Sequence, residues 1–366
     1  MTVDVLRVLK MRMGVGSWIL VVLLIAYFAF TFVIFFQAVI PSYEDGTTSW
    51  TFAVDSTVYV YMADSIREGR NEPWVLGAFA SFPNTVMTPV AIALVLNSAF
   101  LVMLANYAVL AISVLLFRLT FSISTIAFLV LLLLNPTTTT SILCVNKEIL
   151  DLFVISLFLF ARVKRFRLLL LVALVLALVN RWETCAIMIT YLIAESRLNP
   201  WRERRGLTLL LLVGALNFVP IVGAEVLAKR FEEAEYAGVI RVLDILQLHY
   251  LYFIAVIPKI ADNLFGQLPN PQVWKTPSSW LFINFFNNAA AAILILINMA
   301  KGRFTLRSDF IYLGAFGSVL LAQSLVVQPR YFYFVYILLC LEAAEKKSRS
   351  PLLARSPIRQ PELQHA

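Results

Sequence analysis

Apolar residues dominate this chain in long blocks, broken at intervals by short polar patches. Crossing a bilayer as a helix takes about 20 apolar residues, and fewer where helices are short or broken. Blocks that meet this need fall at 17–40, 95–117, 122–136, 141–161, 167–180, 183–195, 207–228, 280–300, 309–327 and 331–344. Three pairs of them, within 122–161, 167–195 and 309–344, are separated only by a polar patch. The pattern predicts an all-α polytopic membrane protein, with about ten transmembrane helices in one domain spanning 1–344. The segment 76–94, "LGAFASFPNTVMTPVAIAL", is rich in Pro, Asn and Thr and reads as re-entrant. Two loops face outward. One, 41–74, is acidic and aromatic; the other, 229–279, carries the spacing of an interfacial amphipathic helix at 239–257. The first block is too long for a signal sequence and is read as a retained helix. A tail at 345–366, basic and containing Pro and Ser, is predicted to be disordered.

Composition supports this reading. The chain is 60% hydrophobic and 14% charged, with mean hydropathy +0.82. Soluble domains have about 45–50% apolar and about 25% charged residues. The three cysteines show no paired spacing, and two histidines cannot build a His-rich metal site. The net charge of +8 acquires a different meaning once it is mapped. Twenty of the 30 Lys and Arg residues fall on one side of the predicted crossings, in short segments such as "ARVKRFR", "SRLNPWRERR" and "KGRFTLR". The positive-inside rule makes that side cytoplasmic, and with it both termini. The basic surplus is then an orientation and lipid-headgroup signal, not a nucleic-acid one.

Candidate chemistry lies on the other side. In "LVLALVNRWETCAIMITYLIA", Arg181 and Glu183 stand near the middle of an apolar run. Charges at that depth are costly and face a bundle interior or a water-filled cavity. "CVNKEILDL" places Lys147 and Glu148 on the same side, "VVQPRYFYF" places Arg330 and Tyr331 there, and the first outer loop adds Asp45, Asp55 and Asp64. Cations at this depth suit the phosphate of a lipid-linked substrate, and a carboxylate beside them suits deprotonation of a hydroxyl nucleophile. Each residue also has a structural reading. Arg181 could pair with a carboxylate of another helix, Lys147 could snorkel, Arg330 could anchor an aromatic belt, and Asp55 could cap a helix. Asp45 fits the turn "EDGT", and Asp64 fits a solvated helix face.

Three stretches resemble the GT-C type integral-membrane glycosyltransferases. "VDSTVYVYMADSIREG" resembles their acidic first external loop, "LNPTTTTSILCVNKEILDLF" their Pro, Ser and Lys-acid segment, and "QPRYFYFVYIL" their late Arg-Tyr helix. Length and pattern are most similar to bacterial O-antigen and exopolysaccharide polymerases. The resemblance implies an inverting enzyme of the bacterial inner membrane, acting at the periplasmic face on polyprenyl-diphosphate-linked glycans, with a chain-length regulator as a further partner. It implies Asp55 as catalytic base; Glu183, from its place in the apolar run, is the second catalytic candidate. Lys147, Arg181 and Arg330 would bind the diphosphate, and Glu148, Tyr331 and Tyr59 would complete the substrate site. Asp55 stands alone where the family carries adjacent acids, so a divalent metal is not indicated, and no cofactor is expected. Two other activities use the same residues: single-sugar transfer from a polyprenyl monophosphate to a glycan or lipid A, and flipping of a lipid-linked oligosaccharide. Transport would ask for polar residues in the inner halves as well, and "LLLLVALVL" and "LTLLLLVG" offer none.

Overall fold

Helices follow wherever the apolar blocks run, and caps and prolines set their ends. The computed structural model describes residues 15–39, 54–70, 72–81, 83–219, 239–275, 279–323 and 329–346. Asp45 and the tail beyond 346 lie outside them. The described elements begin with α1 (Val15–Ile34), which continues through a π-helical turn, and α2 (Val54–Arg67). Next come α3 (Pro73–Ser81), α4 (Pro83–Leu96) and α5 (Ala99–Thr120). A bent pair, α6 (Thr125–Leu133) and α7 (Pro136–Leu143), leads into α8 (Glu148–Lys164). The chain then runs through α9 (Arg167–Asn180), α10 (Trp182–Ala194) and α11 (Arg205–Leu216). The region 239–275 holds α12 (Val239–Leu248), α13 (Tyr252–Phe265) and α14 (Gln272–Lys275). Finally α15 (Ser279–Ala300) and α16 (Asp309–Leu321) are followed by a 3-10 turn (Pro329–Phe332) and α17 (Tyr333–Ala344).

Among the described residues three helical stretches, Trp18–Val39, Ala99–Thr120 and Leu281–Ala300, are long and apolar enough to cross a membrane. The pair α6–α7 makes a fourth if it counts as one span. The outer helices carry apolar stripes to the surface: Leu168, Leu171, Val175 and Leu178 of α9 are all exposed, three or four residues apart. An exposed stripe of that extent suits lipid rather than water. The described residues are helical, as the sequence reading expects, and their apolar helices suit a membrane protein, although three or four stretches rather than ten reach the length and hydropathy of a span.

Several boundaries differ from the sequence reading. The expected crossing at 122–136 stops at Leu133, and the chain turns by 81° into α7. Pro136 lacks an N–H and Asn135 is extended, its side chain accepting from Thr137 N at 2.8 Å. Backbone groups freed by such a break need partners in apolar surroundings. Thr138 Oγ1 supplies one, donating to Leu132 O at 2.8 Å, while Asn106 holds the far end of α7, donating to the carbonyls of Ser141, Ile142 and Cys144 at 2.9–3.2 Å. The next crossing starts at Glu148 rather than 141 for the same reason. The segment 76–94 forms parts of two short helices, with α4 lying against α2 and α9. The amphipathic stretch 239–257 is split at Tyr250, whose φ of 60° ends α12. Past it, α13 buries Tyr252, Val256, Lys259 and Asn263 and exposes Phe253, Ile254 and Ile257.

The core centres on α17, every residue of which is buried, with α6, α15 and α16 around it. Helix α16 approaches closely at Gly317, where an added Cβ would lie 2.9 Å from the Phe334 ring. Gly317→Ala should therefore cost about 1–3 kcal/mol of stability, as overpacking does in tight cores. Thermal unfolding in detergent would register it, and an unchanged midpoint would mean that the two helices separate easily.

Ion pairs and hydrogen bonds tie the helix ends into two layers. At one end Arg205 binds Asp309 and Glu195, Arg162 reaches Glu195, and Lys346 N donates to Ser122 O at 2.9 Å. At the other lie Asp55, Lys147, Arg181 and Arg330. Glu148 and Arg162, on the single helix α8, join the two layers across about 21 Å at 1.5 Å per residue.

Candidate functional site

The second layer is assembled from four separate parts of the chain. Ser56 of α2 accepts from Val145 N at 3.1 Å, drawing that helix onto the segment between α7 and α8. Within that segment Asn146 Oδ1 accepts from Lys147 N at 2.7 Å. Helix α8 then opens with Glu148, and Asp151 follows one turn on. Both are buried carboxylates at a helix N-terminus, where the backbone dipole favours negative charge.

Arg181 is the single residue between α9 and α10, with extended backbone (φ −153°, ψ 113°). That break turns its side chain toward α8. Its Nη2 lies 2.5 Å from Glu148 Oε1, and its Nε lies 3.4 Å from Asp151 Oδ2. Asn180 donates to Asp151 Oδ1 at 2.9 Å and to Lys147 O at 3.2 Å, and Thr184 donates to the same carboxylate oxygen at 3.2 Å. The guanidinium is only 8% exposed. Of the two readings open for Arg181, pairing with carboxylates of another helix is the arrangement found.

Arg330 lies in the 3-10 turn before α17 and is held differently. Its Nη1 is 2.6 Å from Asp55 Oδ2, and the two side chains keep 21% and 38% of their surface. The Tyr331 ring joins the two groups, with the Arg181 guanidinium 5.4 Å and that of Arg330 5.5 Å from its centroid. Such contacts favour a cation over the ring face. Asp55 sits in the first turn of α2, and Tyr59, one turn on, is buried beneath it. Lys147 is nine-tenths buried, and among the described residues no carboxylate pairs with its ammonium.

Seven of the eight residues expected from the sequence thus converge. Glu183 does not join them: it is half-buried in the first turn of α10 and takes no part in these bonds. Asp64 pairs with Arg67 at 2.6 Å on an exposed face, as a solvated residue would. Sequence reasoning missed Asp151, although Glu148 and Asp151 at i and i+3 share a helix face and both could reach one cation. Asn180 and Thr184, flanking Arg181, were missed as well. With Asp151 counted, three cations meet three carboxylates. No group of three or more potential metal ligands is gathered among the described residues.

Chemically, the cluster has a locked half and an open half. Arg181, Glu148 and Asp151 are buried and paired, with Glu148 Oε2 left without a hydrogen-bond partner, whereas Asp55, Arg330 and Tyr331 reach the surface beside Lys147. No known protein family, curated protein or solved structure matches this chain. What it does must be argued from this arrangement.

Proposed function

We propose that the protein is a membrane glycosyltransferase that uses polyprenyl-diphosphate-linked sugars or oligosaccharides and extends a surface polysaccharide. In this reading the chain crosses the bacterial inner membrane ten times, with both termini cytoplasmic and the Asp55–Arg330 layer at the periplasmic face. One observation carries the proposal: a carboxylate in direct contact with an arginine, both accessible, next to a buried lysine that forms no ion pair among the described residues.

The donor diphosphate binds Arg330 and Lys147, with Arg330 offering the planar two-point contact that phosphate oxygens favour. Phosphate bound there displaces Asp55 from Arg330. The freed carboxylate then takes the proton of the acceptor sugar hydroxyl as its oxygen attacks the anomeric carbon. The bond from that carbon to the phosphate oxygen breaks, the diphosphate leaves on its lipid, and a single displacement inverts the anomeric centre. Lys147 and Arg330 stabilise the charge that grows on the leaving oxygen. Arg181 acts as a positioning residue, fixing Glu148 and Asp151 and supporting Tyr331.

The test is reconstitution in liposomes with a polyprenyl-diphosphate-linked oligosaccharide. Wild-type protein should lengthen the glycan. Arg330→Lys, which keeps the charge but not the planar fork, should lose most of the rate at normal protein levels. Oligosaccharide carried across the bilayer without lengthening would replace this reading with a flippase, and full activity of Arg330→Lys would remove the two-point contact.

A further inference from the structure

The layer opposite the Asp55–Arg330 cluster contains a concave site. Between α10 and α11 the chain passes through turns from 195 to 204, and a cavity of about 680 Å³ opens there. Arg197, Arg202 and Arg204 line it against one carboxylate, Glu203, with Asn199 and Trp201 also in its wall. None of the three arginines is drawn into the ion pairs that hold Arg162 and Arg205.

The loop is braced from within. Asn199 donates to Ala194 O at 2.7 Å and accepts from Trp201 N at 3.0 Å. Arg204 N donates to Trp201 O at 2.8 Å, and Leu198 N to Ser196 Oγ at 3.2 Å. Arg205 anchors its end, donating to the carbonyls of Leu306 and Arg307 at 3.0 Å and binding Asp309. A concavity held this way loses little freedom when a ligand binds.

Guanidinium groups around a hollow select phosphate oxygens. The surroundings decide which phosphate. Leu198 is 88% exposed on the loop, Trp201 is exposed in the cavity wall, and Leu210, one turn and a half into α11, is 67% exposed. Ile193, in the last turn of α10, is exposed as well. A soluble anion would leave these groups in water, whereas a phospholipid covers them with its chains while its headgroup meets the arginines.

We infer that this cavity binds the headgroup of an anionic phospholipid from the adjacent leaflet, with its acyl chains lying along the exposed faces of α10 and α11. The site is independent of the glycosyl-transfer reading. Native mass spectrometry of the full-length protein with phosphatidylglycerol and phosphatidylcholine tests it. Wild type should retain phosphatidylglycerol preferentially, and millimolar inorganic phosphate should not displace it. Arg→Gln at 197, 202 and 204 should weaken retention by on the order of fivefold per arginine, the weight of one basic group beside anionic lipid. Should the triple variant fail to fold, Arg202→Gln and Trp201→Ala alone should each weaken retention. Undiminished preference in these variants would overturn the inference. Displacement by inorganic phosphate would also overturn it, identifying a free-phosphate site instead.

Discussion

An Asp55→Asn protein should extend glycan about 10²–10⁴-fold more slowly than wild type, the range expected when a positioned general base is lost. The amide keeps the size of the carboxylate and an oxygen that can accept a hydrogen bond. A helix-capping role would therefore survive the change. The ion pair with Arg330 would not, yet both side chains are partly exposed, and pairs of that kind contribute about 0–1 kcal/mol. Folding should be nearly unaffected, so the loss would appear in turnover while lipid-linked donor still binds. The measurement is polymer length against time in proteoliposomes, with donor retention followed separately. Long chains made by Asp55→Asn would dismiss Asp55 and move the base to Glu148 or Glu183. Of these, Glu183 has the better access, because Glu148 is held by Arg181 and is 1% exposed.

Removing Arg181 should instead break the fold. In Arg181→Met, Glu148 and Asp151 would remain buried without their cation, and breaking a buried pair from one side costs about 3–5 kcal/mol. Replacing all members of such a cluster is often close to neutral. Adding Glu148→Gln and Asp151→Asn to Arg181→Met should therefore restore most of the folded protein. Size-exclusion yield and thermal unfolding in detergent read both steps. If Arg181→Met is as stable as wild type but inactive, Arg181 is not a positioning residue and belongs with Arg330 among the groups that meet substrate.

The two results would separate what could be read from the sequence from what could not. Helix positions followed from the apolar blocks, since α1, α5 and α15 each fill one of them. The break at "LNPTTTT" was visible as Pro136, though not its direction, because at the 81° turn Thr138 bonds both Leu132 O and Tyr333 of the distant α17. Lys147, Arg181 and Arg330 do lie together in one layer, an arrangement their positions between the apolar blocks suggested. Their division into a buried triad and an open pair was hidden. It depends on Arg181 falling at a one-residue break and on Tyr331 lying between two guanidinium groups. Both are properties of packing between distant segments, and no periodicity within a segment reports them. Asp151 was within reach of a helical-wheel argument; Asp55 finding Arg330 was not.

That last contact joins α2 to the turn before α17, and at the opposite layer Ile123 bridges to Glu345. Arg330 leaves the ribosome long after Asp55, as Glu345 does after Ile123. Until α16 and α17 are inserted, Asp55 has no arginine, Tyr331 is absent, and the centre around which the earlier helices pack is missing. The Asp55–Arg330 pair thus reports completion of the fold: a chain stopped between Thr184 and Arg330 carries the buried triad but not the open half.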